Sequence, residues 1–208
     1  MNLLIVSATR FEVEPFLKEK SNADVLITGI GVPATIFQLT KRLSEKKYEL
    51  VIQAGIAGTF NHRFNLSETV LVKEDTFADI GIEENGTFKT LYESGFQDKN
   101  DFPYTGGWLV NHHSFLEENK LPVAKGITVN TITDNPLQNQ SNKDKFAADI
   151  ESMEGAAFHY VCLQQKINFL QLRSISNKVG ERDKTKWELR NAIESLNKEL
   201  LKIVKENK

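Results

Sequence analysis

The chain has 208 residues, 40% of them hydrophobic, and a formal net charge of −2. So balanced a charge lacks the basic face that a nucleic-acid partner requires. A single cysteine, Cys162, excludes an internal disulfide, and no Cys/His cluster has zinc spacing.

A chain of this size buries about 70% of its unfolded surface, enough for a core without disulfide or metal staples. No repeat, low-complexity linker or composition break divides it, so one domain spanning 1–208 is expected. The apolar run 3–6 is too short for a signal peptide, has no basic leader, and is followed by Arg10, Glu12 and Glu14. It reads as a first buried strand. No segment has the length of a membrane span. A cytoplasmic, reduced protein with no membrane or nucleic-acid partner is the expectation.

Strands and helices alternate from the start. Residues 11–20 have helical character, with Pro15 tolerable only near the first turn. A short strand at 25–28 ends in Gly29-Ile30-Gly31. Pro33 then opens a helix to about Lys46. Residues 50–53 form a third strand, closed by Gly55-Ile56-Ala57-Gly58. Short apolar strands between helices imply a largely parallel sheet covered on both faces. Further on, 69–72 and 77–82 read as strands. The Gly-, Asn- and Asp-rich stretch 84–107 reads as turns or a long excursion, the kind of stretch that often forms binding loops. Asn111 is placed to cap a helix through Asn119, and 123–129 is a strand. A helix over 153–165 holds Cys162, which reads as a buried small hydrophobe. A strand at 169–175 and an amphipathic helix with Leu189, Ile193, Leu196, Leu200 and Ile203 on one stripe complete the chain.

Several constellations carry chemistry. Gly29-x-Gly31-x-x-Ala34 formally matches a relaxed dinucleotide fingerprint. The following strand ends in Gln53-Ala54-Gly55, without the acidic residue that would hold a ribose. The reading is therefore a tight strand-to-helix turn rather than a nicotinamide site. Gly55 to Gly58 lets the backbone approach a ligand or a packed neighbour closely, and the residues alone do not choose between them. Glu12 stands just past the first strand, where ligands gather in open α/β sheets and a carboxylate can act as a general base. A solvated helix face is the plainer reading for Glu12 and Glu14. His112 and His113 are adjacent and point to different helix faces, so they carry little functional weight. Glu151-Ser152-Met153-Glu154-Gly155 opens a helix with Met among carboxylates, a pattern suited to gripping sugar hydroxyls. The strand through Arg173 runs into the amide Asn177. Trp187 and the charged run 180–186 read as a mobile or interfacial segment.

In order and spacing these landmarks resemble the purine nucleoside phosphorylase and nucleosidase superfamily over nearly the whole length. Within its nucleosidase branch they are most similar to the futalosine hydrolases. The resemblance implies a three-layer α/β/α sandwich around a twisted mixed sheet and cleavage of an N-ribosidic bond. It needs no metal or organic cofactor. It further implies that Glu154 holds the ribose hydroxyls, Met153 packs on the sugar, Glu12 orients and deprotonates the attacking water, and Asn177 meets the purine. Gly55 would lie beside the ligand. A homo-oligomer, dimer or larger, is expected on the same ground.

Three departures from related nucleosidases bear on the substrate. Methylthioadenosine/adenosylhomocysteine nucleosidases have Asp at the position of Asn177. A 6-oxopurine protonated at N7 presents a donor and an acceptor, which an amide matches. A hypoxanthine-type base follows, as in futalosine, whose hydrolysis yields dehypoxanthinyl futalosine in menaquinone biosynthesis. Ile56 replaces a Ser, removing a hydroxyl near the water. Ile132, in the segment Asn130-Thr131-Ile132-Thr133, replaces an aromatic and would offer an apolar face to the base. The segment with Tyr92, Phe96, Phe102 and Tyr104 is a candidate for the 5′-side pocket, completed by a neighbouring subunit. Ser7-Ala8-Thr9-Arg10 is not a Gly-rich phosphate nest, and Glu12 beside it repels phosphate, so hydrolysis is expected over phosphorolysis. Arg10 keeps a phosphorylase open. An adenine-directed nucleosidase and a non-catalytic nucleoside-binding module are the other readings, and the presence of both Glu12 and Glu154 argues against the last.

Overall fold

The computed structural model describes residues 1–206. In chain order the strands and helices are β1 (Leu3–Ser7), α1 (Glu14–Lys18), β2 (Asp24–Ile27), α2 (Val32–Glu45), β3 (Leu50–Thr59), β4 (Thr69–Phe77), β5 (Gly81–Glu84), β6 (Thr87–Thr90) and β7 (Leu109–Val110). They continue with α3 (Phe115–Glu118), β8 (Val123–Thr128), α4 (Pro136–Phe146), β9 (Ile150–Ser152), α5 (Gly155–Gln164), β10 (Phe169–Lys178) and α6 (Leu189–Glu206). A one-turn 3₁₀ helix, Phe11–Val13, precedes α1.

The expected three-layer mixed α/β arrangement is present. Alternate residues of β1 feed opposite layers, because successive strand side chains point to opposite faces. Leu3 and Ile5 pack with Phe16, Leu196, Leu200 and Ile203 on the α1/α6 side, and Leu4 and Val6 with Leu39, Leu43, Phe158 and Cys162 on the α2/α5 side. Cys162 is fully buried. Each such apolar side chain contributes about 1.5–3 kcal/mol on burial.

β3 is the axis of the sheet. β1 pairs parallel with its first half, β9 antiparallel with its end, and β10 parallel along its length. The sheet order β10-β4-β8-β9-β3-β1-β2, with β10 also on β3, makes five of the strands a closed ring. β1, β2, β3 and β10 run parallel, so their carboxyl ends meet at one rim.

Several elements differ from the sequence reading. β3 does not stop at Gln53. Gly55 to Gly58 continue as strand, because β10 supplies hydrogen-bonding partners as far as Thr59. Of the two readings for 84–107, turns or a long excursion, the structure has turns, together with a hairpin that the sequence did not reveal. The stretch contains the β5–β6 hairpin and turns fastened by Thr90 and Glu93, whose side chains each bond the other's backbone N–H. Asn111 caps no helix. It is buried, and its amide bonds Phe169 O and His113 N, while α3 starts only after Ser114. The polar helix α4 has no apolar stripe for periodicity to reveal. Its signal was Asn135, which caps Leu137 N at 3.0 Å, followed by Pro136. The opening carboxylate of the Glu151–Glu154 motif belongs to a strand, β9, rather than to a helix mouth. No helix among the described residues is long and apolar enough to cross a membrane.

Candidate active site

A cavity of about 310 Å³ opens at the rim where β1, β3 and β10 end. That volume lies at the small-ligand end of binding pockets, about 300–1,000 Å³. Glu12, Ile132, Met153, Glu154 and Asn177 all line it, so the fold brings together five of the six expected site residues from distant parts of the chain.

Glu12 is held by a reciprocal turn. The Thr9 N–H and hydroxyl donate to its Oε2 at 3.0 and 2.8 Å, and its own N–H donates to Thr9 Oγ1 at 3.4 Å. This is a capping box, and Thr9-x-x-Glu12 was its signature in the sequence. The Ser7 hydroxyl lies 3.3 Å from the same oxygen, and Ile56 N–H donates to Oε1 at 3.1 Å. The side chain is 7% exposed. Three donors, the Thr9 N–H and hydroxyl and the Ile56 N–H, with the Ser7 hydroxyl beside them, therefore fix a carboxylate at the cavity wall in one orientation. Glu14, by contrast, is exposed and pairs with Lys18 one turn on.

Glu154 stands at the N-terminus of α5 but does not cap it. Its Oε1 accepts from Gly31 N–H at 3.0 Å, and its Oε2 lies 3.5 Å from Arg173 Nη1. Gly31, at φ +92°, turns its amide toward this carboxylate. The glycine turn after β2 thus serves Glu154.

Arg173 is the residue that sequence reasoning missed. It is 1% exposed, a charge inside a sheet, and Glu154, Gln53 Oε1 at 3.0 Å and Ile56 O at 3.2 Å receive its guanidinium. Its signal was a cation in the middle of an apolar strand, which requires an internal partner. Arg173 also explains Gly55. A Cβ there would stand 2.5 Å from Arg173 Nη1 and 3.0 Å from Glu12 Oε1. Gly55 is absent from the cavity lining, so its close approach is to these two side chains rather than to a ligand.

Asn177 is half-buried at the end of β10, beyond a bulge after Ile175. Its Oδ1 accepts from Ser176 Oγ at 2.7 Å, and its Nδ2 donates to Lys178 O at 2.8 Å. One lone pair and one N–H remain for a ligand. Glu151 also lines the cavity. Burial, and then the charge of Asp79, push its carboxyl up to about 7.

The aromatic candidates lie elsewhere. Tyr92 and Tyr104 stack edge to face 5.5 Å apart, and neither they nor Phe96 and Phe102 line this cavity. Its apolar walls come instead from Phe11, Ile30, Val179, Trp187 and Leu189. The segment 179–189 is thus a wall of the site, braced by Trp187 Nε1 donating to Glu181 O and by the Lys186–Glu181 ion pair. His112 is exposed, and neither it nor His113 lines the cavity. No group of three or more metal-ligating side chains comes together among the described residues.

The cavity thus gathers a fixed carboxylate, a Met-Glu pair and a strand-end amide, the set expected of an N-glycosyl hydrolase of the nucleosidase class. The phosphorylase superfamily model matches residues 9–206, and the chain belongs to that family. It is 29% identical to a futalosine hydrolase of Thermus thermophilus, covering 98% of this chain and 95% of that one. It is 30% identical to a 5′-methylthioadenosine/S-adenosylhomocysteine nucleosidase of Bacillus cereus, over 76% of this chain and 68% of that one. The solved futalosine hydrolase of Helicobacter pylori superposes with a TM-score of 0.80 at 16% identity, covering 99% and 98% of the two chains, a likeness of fold.

Proposed function

We propose that this chain, as a single nucleosidase domain, hydrolyses the N-ribosidic bond of futalosine, releasing hypoxanthine and dehypoxanthinyl futalosine for menaquinone biosynthesis. One observation carries the choice of water over phosphate. Three carboxylates, Glu12, Glu154 and Glu181, and the carboxyl of Glu151 line the cavity, and among the described residues no Lys, Arg or His does. Arg10 is exposed outside it, and Arg173 is spent on Glu154, Gln53 and Ile56. Such a wall repels phosphate and favours the positive charge that builds on a sugar as its glycosidic bond breaks.

Glu12 takes the proton of the attacking water, held in place by Thr9 and Ile56. Glu154 accepts from the ribose hydroxyls while Arg173 and Gly31 fix its position, and Met153 packs on the ring. Asn177 offers its remaining acceptor to N7–H and its remaining donor to O6 of the leaving base, with Ile132 against the base face. Mismatched polar groups in such a site cost enough to set base choice. The similarity to the Thermus enzyme over almost the full chain supports futalosine. The similarity to the Bacillus nucleosidase supports the second reading, a methylthioadenosine-type activity, which Asn177 disfavours. A cytoplasmic homo-oligomer belongs to the same proposal. Apolar side chains left exposed at the cavity mouth and on α2, among them Ile30 and Phe37, support a second copy there.

The test offers futalosine, inosine and methylthioadenosine, each with and without phosphate, and separates the products. Hypoxanthine and a free sugar from futalosine without phosphate are expected. Preferred release of adenine, or a sugar 1-phosphate, would overturn the reading.

A further inference from the structure

Asn177, Gly58 and Glu151 lie abreast on three neighbouring strands, β10, β3 and β9. Two strand spacings separate the outer pair by about 10 Å of backbone. A Cβ on Gly58 would meet Val179 Cγ2 at 3.1 Å and Asn177 Nδ2 at 3.4 Å, so these two side chains lean over its backbone. Asn177, Gly58 and Glu151 all line the cavity, with the two polar side chains on either side of the glycine. Glu151 is 7% exposed, and its side chain has no hydrogen-bond or ion-pair partner among the described residues. No protein donor engages this carboxyl, which leaves both of its oxygens to a ligand in the cavity.

We propose that Glu151 is a second base-recognising residue, gripping the purine on the edge opposite Asn177. The inference rests on the nucleosidase reading for its ligand class. The acid form offers an O–H donor and an acceptor oxygen, which suits the ring nitrogens on the pyrimidine side of an oxopurine. That form is present near neutral pH, because burial and Asp79 raise the carboxyl to about 7. The charged side chains that line the cavity with it are acidic. Asp79 stands in the turn after β4, bonded to Asn130, and Glu12, Glu154 and Glu181 share the cavity. Arg173 on β10 is engaged by Glu154, and Lys186 by Glu181. None of the lining side chains supplies a cation to bring the carboxyl down. Glu151 thus acts as a donor below its titration and as a repelling charge above it.

The test is calorimetric binding of hypoxanthine across the pH range, for the wild type, Glu151→Gln and Glu151→Leu, alongside turnover of futalosine. Wild-type affinity is expected to fall as pH rises through about 7, because the donor is lost. Glu151→Gln, which keeps a donor without titrating, should show no such fall. Glu151→Leu should bind about tenfold more weakly or worse at acid pH. An identical pH dependence in wild type and Glu151→Gln, unchanged affinity in Glu151→Leu, or no hypoxanthine binding by the wild type would each overturn the proposal. Binding is read without turnover. A wild type that binds hypoxanthine with this pH step yet cleaves no nucleoside would therefore sink the catalytic reading and leave Glu151 in its place.

Discussion

Glu12 shows how one side chain holds two jobs. Its carboxylate closes a capping box with Thr9 and also presents an oxygen, bonded by Ile56 N–H, at the cavity wall. Glu12→Gln keeps the volume and the capacity to accept but removes the base. Turnover should drop by about 10²- to 10⁴-fold, with ligand affinity nearly kept. Product chromatography paired with a binding titration checks this, and retained turnover would remove Glu12 as the base. Asn177 makes a different prediction. Asn177→Asp supplies acceptors only, which fits a protonated adenine and not a 6-oxopurine. The ratio of kcat/KM for futalosine to that for methylthioadenosine should fall by about tenfold or more. An unchanged ratio would show that Asn177 does not choose the base. Both residues were legible in the sequence by type and by their place after strands. Arg173 was visible as an anomaly, but its three partners lie 19 to 120 positions away, and only folding names them.

The strands and helices were legible in kind and misjudged in extent. β3 and β10 each run ten residues, because each completes the other's hydrogen bonding past the apolar stretch that marks them in the sequence. Gly55 sits inside this paired region, and its lack of a side chain admits Arg173. Gly55→Ala forces the guanidinium aside and should cost about 1–3 kcal/mol, read from a urea midpoint, with a parallel loss of activity. Beneath α5 lies a buried polar layer. Asp75 accepts from Thr128 at 3.0 Å and from Gln171 at 3.2 Å, and burial, the largest influence, lifts its carboxyl to about 7. His159 on α5 is pushed down to about 4, chiefly by burial, and its Nδ1 lies 2.8 Å from Leu109 O. The raised Asp75 means that the folded chain keeps a proton which the unfolded chain has released. This contribution is therefore fully present below the ordinary carboxylate range and is lost as pH rises to about 7. His159 has the opposite sign at lower pH, since it must charge on unfolding. Asp75→Asn removes the first effect alone. Its stability relative to the wild type should rise between about pH 5 and about pH 8. Denaturant midpoints at both values test it, and a constant difference would refute it.

At the scale of the molecule, the C-terminal helix reaches the site. Asn197 on α6 is 1% exposed, accepts Phe16 N–H at 3.0 Å, and donates to Glu12 O at 2.8 Å. It ties the segment carrying Glu12 to the α6 stripe of Ile193, Leu196, Leu200 and Ile203, of which all four are buried. Asn197→Ala leaves a buried N–H and C=O unpaired and should cost about 1–3 kcal/mol. It should also lower kcat more than it raises KM, because Glu12 is repositioned while the sugar grip is untouched. Equal changes in both would argue against the coupling.

The sequence by itself determined the layered α/β arrangement, since apolar runs buried on both faces and one long amphipathic helix have few other solutions. It also determined the residue types of the site, because strand ends in such a sheet are where polar side chains can face a ligand. Tertiary structure alone decided what each group touches. Closure of β10 onto β3 set Asn177 and Glu151 on either side of Gly58 and buried Arg173 under Glu154. The same closure made segment 179–189 a wall of the cavity, away from the aromatic residues of 92–104. Burial and pairing depend on neighbours remote in the chain, and no local pattern of residues encodes them.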